Sequence, residues 1–170
     1  IKNIFFFKME FQLYERKFKF VDDELFSFYK FGNSKKKIWH KIKLSLDKYG
    51  YKVFGFTIKG KTKHFRFHRV MYYAYNNQWD IYDSSKDNCI DHIDGIRTNN
   101  HISNLRNVTQ QENCFNTRCK GYYFHKKTGK YQAHIQLNGK LIHIGCYDSE
   151  DEAREAYLNK KAEVHIIQQR

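Results

Sequence analysis

Aromatic and charged residues alternate through the first third of the chain. "FQLYERKFKF" and "DELFSFYKFGNSKKKIW" set Phe and Tyr at near period-two spacing, which predicts short, half-buried strands. In "YGYKVFGFTIKGKTKHFRFHRV" two aromatic runs flank Lys59-Gly60-Lys61, a hairpin pattern. There Phe65 and Phe67 share one face, with His64, Arg66 and His68 on the other. The period then changes. Val70, Met71, Ala74 and Tyr75 recur at helical spacing in "HRVMYYAYNN" and predict a helix with its stripe in the core. Past residue 119 the texture reads as three strands and a helix, with turns at Thr128-Gly129 and Asn138-Gly139. Ser149 with Glu152 forms a capping box ahead of Ala153, Ala156, Tyr157 and Val164, a stripe able to lie on the sheet.

Between these regions lies "NCIDHIDGIRTNNHISNLRNVTQQENC", residues 88–114, too polar for a core. "CIDH" and "LRNV" are short strand candidates, joined by a loop that begins at the Asp94-Gly95 turn. Thr109 and Glu112 make a second capping box, opening the helix "QQENCFNT". This strand, loop, strand, helix unit can converge polar groups on one site. The Asp91 carboxylate and the Asn113 amide oxygen are hard ligands suited to Mg²⁺, which fills its other positions with water and substrate phosphate. His92 beside them has the ionisation suited to activating water. Asn104 offers a carbonyl that can accept from one ring nitrogen and leave the other to take a proton.

Charge sharpens that picture. Lys and Arg number 31 against 18 acids, a net +13 that attracts polyanions and nucleic acid above all. Arg97, Arg106 and Arg118 stand near the polar segment as candidate phosphate contacts, and "NSKKK", residues 33–37, is a basic turn. Cys89, Cys114, Cys119 and Cys146 lack C-x-x-C spacing, so reduced thiols are expected ahead of a structural zinc site. No apolar run has the ~18 residues of a membrane helix, and the opening run is too short for a secretory signal, so an intracellular, membrane-free protein is expected.

The segment resembles the HNH endonucleases, the ββα-metal (His-Me finger) fold, in the variant of phage and intron homing enzymes. Their pattern is matched by Asp91-His92-Ile93-Asp94-Gly95, Asn99-Asn100, Asn104-Leu105, Thr109 and Asn113, with Asn104 and Asn113 falling 12 and 21 residues after His92. "FHRVMYYAY" is similar to the helix the family places just upstream, so the resemblance spans roughly residues 48–117. It implies a general base at His92, its orienter at Asn104, and one divalent ion, Mg²⁺ or Mn²⁺, on Asp91 and Asn113. Many relatives carry His at the last position, and Asn113 matches the H-N-N subgroup.

The last fifty residues look like the Apetala-two, or ethylene-response-factor, DNA-binding domain. Gly121-Tyr122, Gly129 to Ile135, Ile144 to Tyr147 and Glu152-Ala153 with Ala156-Tyr157 carry that likeness. It implies a sheet that enters DNA. Tyr131, Ala133, Ile135 and Leu137 would face the helix, leaving Lys130, Gln132, His134, Gln136 and His143 outward as DNA contacts. This chain has Lys, Tyr and Gln where that family usually has Arg and Trp, so no sequence preference carries over.

The expected fold is therefore α+β. A β-rich basic region (1–47) precedes an HNH domain (48–118) with a hairpin and helix ahead of its ββα core, and a three-stranded antiparallel sheet with one helix (119–170) follows. The expected activity is metal-dependent hydrolysis of double-stranded DNA. Two rivals stand beside it: a sequence-specific DNA-binding regulator on an inactive nuclease fold, and an RNA-binding protein that uses its aromatics.

Overall fold

The computed structural model describes residues 8–33 and 35–167; the first seven residues of the aromatic opening and Ser34 of the basic turn lie outside the described residues. The chain is a mixture of small antiparallel sheets and short helices, and its contacts divide it into two compact units. One comprises the residues up to Asp83 together with His92–Arg106. The other comprises Ser84–Asp91 and the residues from Asn107 onward.

In the first unit β1 (Lys8–Leu13), β2 (Arg16–Val21), β3 (Glu24–Tyr29) and β4 (Ile38–Lys41) form a meander in chain order. A second sheet is built from β5 (Ser45–Leu46), β6 (Lys52–Ile58) and β7 (Lys61–Arg66). Alternation sends Phe18 and Phe20 of β2 inward, fully buried. Phe18 meets Phe54 and Phe56 of β6 at ring distances of 6.1 and 5.0 Å. The amino-terminal sheet thus shares one aromatic core with the segment after residue 48. The expected hairpin is present: Ile58 pairs with Lys61 across a two-residue turn with positive φ at Lys59 and Gly60, the type I′ geometry.

Helix α1 (Phe67–Tyr75) follows β7 without a break. Its onset overrides the period-two reading of His68. Once the backbone turns helical at Phe67, His68 swings from the outward row into the interior, 4% exposed beside Phe67, Val70 and Met71. Tyr75, expected in the stripe, is instead exposed at the helix end.

The polar segment forms β8 (Cys89–His92), a single 3₁₀ turn at Ile102–Asn104, β9 (Leu105–Val108) and α2 (Gln110–Phe115). β8 and β9 pair with each other, and the division between units falls within both strands. In the second unit β10 (Tyr122–His125), β11 (Lys130–Leu137) and β12 (Lys140–Tyr147) form a sheet covered by α3 (Glu150–Val164). The Asn138-Gly139 turn has positive φ at both residues, and both expected capping boxes close. Ala133 and Ile135 of β11 are buried, as are Ala153 and Tyr157 of α3. Gly121 sits so close to Tyr157 that a β-carbon there would lie 2.1 Å from its ring. No helix among the described residues is long and apolar enough to cross a membrane.

Candidate active site

The candidate base, His92, lies in the first unit. β8 ends at His92, which is 4% exposed. The Nε2 of His92 is 2.9 Å from the Oδ1 of Asn100, itself 6% exposed. Behind the imidazole, the His68 ring lies edge-on at 4.9 Å and the Tyr51 ring at 6.0 Å. Tyr51 also meets His68, tilted by 38° at 5.0 Å, and carries the guanidinium groups of Arg66 and Arg97 at 4.5 and 5.1 Å from its ring centre. Burial, then the neighbouring His92 and the arginines at 66 and 69, pushes His68 down to about 3, so it is neutral at physiological pH. A neutral ring can pack against a second imidazole without charge repulsion.

The loop between the strands is tied by one carboxylate. Asp94 accepts from the Ile96 amide at 2.7 Å, from Asn99 Nδ2 at 2.6 Å and from Asn104 Nδ2 at 2.9 Å. These donors hold its carboxyl below the usual aspartate range, the Ile96 amide first and then Asn99. Asn104 was expected to offer its carbonyl to His92. That oxygen instead accepts from the Asp94 amide at 3.1 Å, while Nδ2 also donates to the Asn99 carbonyl at 2.8 Å. The reason is geometric: Asn104 closes the loop's 3₁₀ turn beside Asp94, so Asp94 is its near neighbour. Spacing could place Asn104 on this loop but could not tell which polar group it would meet. Asn100, the second residue of the Asn99-Asn100 pair, meets the imidazole.

The candidate metal ligands, Asp91 and Asn113, lie in the second unit. Asp91 is 5% exposed, and Asn116 Nδ2 donates to its two oxygens at 3.2 and 3.1 Å. Asn116 is the C-cap of α2, three residues after the half-buried Asn113, and such a spacing shares a helix face. The sequence signal for Asn116 was therefore Asn113 itself. The start of α2 is pinned twice: Thr109 Oγ1 accepts from the Glu112 amide at 3.1 Å, and the Gln110 amide donates to the Lys86 carbonyl at 2.6 Å.

Among the described residues no group of three or more His, Cys, Asp or Glu could hold a metal. What the segment offers is one buried carboxylate, Asp91, which accepts from Asn116 Nδ2, with Asn113 on the helix that follows. A hard ion that keeps much of its water shell fits such a set. The four cysteines are free thiols: Cys89 lies 3.8 Å from the Lys86 carbonyl, Cys119 2.8 Å from the Tyr157 hydroxyl and Cys146 3.8 Å from His143 Nε2.

The candidate DNA contacts are scattered more widely. Arg97 donates to the Tyr49 carbonyl at 2.6 Å besides covering Tyr51; Arg106 is half-buried on β9 and Arg118 is exposed after α2. On the sheet of the second unit Lys130 pairs with Asp148 at 3.0 Å, and Gln132 accepts from the Tyr123 hydroxyl at 2.7 Å. The His134 ring stacks on Tyr123, and its Nε2 lies 3.2 Å from His143 Nδ1. Gln136 is exposed.

Residues 65–114, which include this strand pair and capped helix with the buried Asp-His dipeptide, match the model of the HNH endonuclease family. Over 79 residues the chain is 35% identical to YosQ, an SPbeta prophage-derived protein of Bacillus subtilis (strain 168) named as an HNH homing endonuclease. The alignment covers 46% of this chain and 43% of that protein, so the chain spans less than half of that relative's length. The solved structure of the HNH homing endonuclease I-HmuI, described for DNA binding and cleavage, aligns over 81% of this chain and 75% of its own. The identity is 25% and the TM-score 0.41.

Proposed function

We propose that this chain is a metal-dependent endonuclease of the HNH homing type that hydrolyses phosphodiester bonds in double-stranded DNA. The observation that carries the reading is a buried carboxylate and a buried, hydrogen-bonded imidazole on successive residues inside the stretch matched to the HNH family. His92 takes a proton from water as the water oxygen bonds to phosphorus. The bond from phosphorus to the 3′ oxygen breaks, leaving a 5′ phosphate and a 3′ oxygen that takes a proton from solvent water to become a hydroxyl, while His92 returns its proton to solvent. Asp91 and Asn113 would hold one Mg²⁺ or Mn²⁺, which when bound offsets the charge gathering on the phosphate and the departing oxygen. Asn104 serves at one remove, keeping the loop beside His92 in shape through Asp94.

The sheet of β10, β11 and β12 is the proposed target-binding module, of the Apetala-two kind. Its support is the order of three antiparallel strands under one helix, with a row of Lys, Gln and His between buried Ala133 and Ile135. Lys130, Gln132, His134, Gln136 and His143 would meet DNA there, and Arg97, Arg106 and Arg118 would meet phosphates.

Supercoiled plasmid incubated with the protein and Mg²⁺ tests the reading. Nicked or linear product should form, should vanish on chelation and should fall at least about a hundredfold with His92→Ala, the scale of a lost general base. Plasmid that is bound but stays uncut would point instead to a DNA-binding regulator on an inactive fold.

A further inference from the structure

His92 has two ring nitrogens, and only the one without a proton can serve as a base. Which nitrogen that is depends on what the other one meets. Nε2 of His92 faces Asn100 Oδ1 at 2.9 Å, with both side chains more than nine-tenths buried. The orientation of the Asn100 amide is set from its far end, where Nδ2 donates to the Thr98 carbonyl at 3.3 Å. The oxygen is therefore the end turned to the imidazole, and an oxygen there can only accept. His68 edge-on at 4.9 Å and Tyr51 at 6.0 Å flank the same ring.

We propose that Asn100 is a positioning residue that locks His92 as its Nε2–H tautomer, so that Nδ1 carries the lone pair used on water. The Asn104 carbonyl accepts from the Asp94 amide, whereas the Asn100 carbonyl faces the ring. The knot of Asp94, Asn99 and Asn104 instead ends one residue short of Asn100 on one side and presents it to the ring. The catalytic consequence rests on the endonuclease reading above, but the tautomer does not. Partners that orient metal-ligating histidines change affinity or activity by about 10- to 100-fold when removed, and an effect of the same order is expected for this base.

Two measurements on the full chain test the proposal. Long-range ¹H–¹⁵N correlation of the His92 ring should show the Nε2–H form in the native protein and in Asn100→Asp, which keeps an acceptor in place. Asn100→Ala should give a mixture of tautomers. An Nδ1–H ring in the native protein, or an unchanged ring in a folded Asn100→Ala, overturns the proposal. In plasmid cleavage Asn100→Ala should slow the single-turnover rate about 10- to 100-fold with DNA affinity unchanged, and Asn100→Asp should recover most of it. Equal rates for native protein and Asn100→Ala would overturn the catalytic role. A native protein that cuts nothing yet shows the Nε2–H ring removes the endonuclease reading and leaves the tautomer lock standing.

Discussion

His68 shows how far a single buried group can shape the behaviour of its unit. Its folded ionisation lies near 3 against an ordinary 6.5, because burial disfavours the charged form and cationic neighbours add to the penalty. The unfolded chain therefore binds this proton first as pH falls. The contribution is flat above about 6.5 and turns against folding between there and about 3, at up to about 1.4 kcal/mol per pH unit. Lowering pH from 6.5 to 5 should cost native protein about 2 kcal/mol through this residue. His68→Gln, which does not titrate, should escape that share. Denaturant midpoints for both proteins at the two pH values check the difference. Asn100 and Asn116 teach a second lesson at this scale. Each stands near a residue that spacing had singled out, Asn104 and Asn113, and each makes the contact to His92 or Asp91 that the structure records. Offsets along a chain identify a loop or a helix face; the path of the backbone decides which amide arrives.

Among the elements, the most legible features were those that close within a few residues. The turns at Lys59-Gly60 and Asn138-Gly139 and the boxes at Thr109 and Ser149 form as the sequence implied, because every partner lies within four positions. The start of α1 was harder to read. Phe67 satisfies a strand and a helix equally, and only its packing against Phe20 at 5.7 Å shows where the core lies. The two caps also permit a comparison. Thr109→Ala and Ser149→Ala each remove a side chain that accepts from the third helical amide, and each should cost about 1 kcal/mol. They should differ in consequence. α2 has six residues, bears Asn113 and is capped by Asn116, whereas α3 has fifteen and covers a sheet. Plasmid cleavage should therefore fall several-fold more in Thr109→Ala than in Ser149→Ala when thermal unfolding shows equal losses.

For the molecule as a whole, charge and division into units carry separate messages. A net +13 on 170 residues gives a field that holds any polyanion, so duplex affinity should fall steeply with salt. If about six phosphates are neutralised, raising salt from about 50 to 200 mM should weaken binding about a thousandfold, as fluorescence anisotropy would show. A shallow dependence would mean that few of the basic residues touch backbone. The family resemblance begins near residue 48, and Phe18 and Phe20 pack against aromatics that follow that point. The span of a motif marks where a resemblance starts, and a shared core can extend beyond it.

The knot around Asp94 also bears on how this protein ages. Asp94 precedes Gly95, and an Asp-Gly pair in a loose chain tends to cyclise: the glycine nitrogen attacks the aspartyl carbon, water is lost, and reopening leaves an isoaspartyl link. Here the carboxyl is held by three donors while the Gly95 amide is committed to the His92 carbonyl at 2.8 Å. Folded protein stored for weeks should keep an ordinary link at this position, while urea-unfolded protein stored alongside should accumulate the isomer in peptide mapping. The loop that presents the histidine's partner thus also preserves its own covalent chemistry, and a preparation that loses its fold for long would not recover fully on refolding.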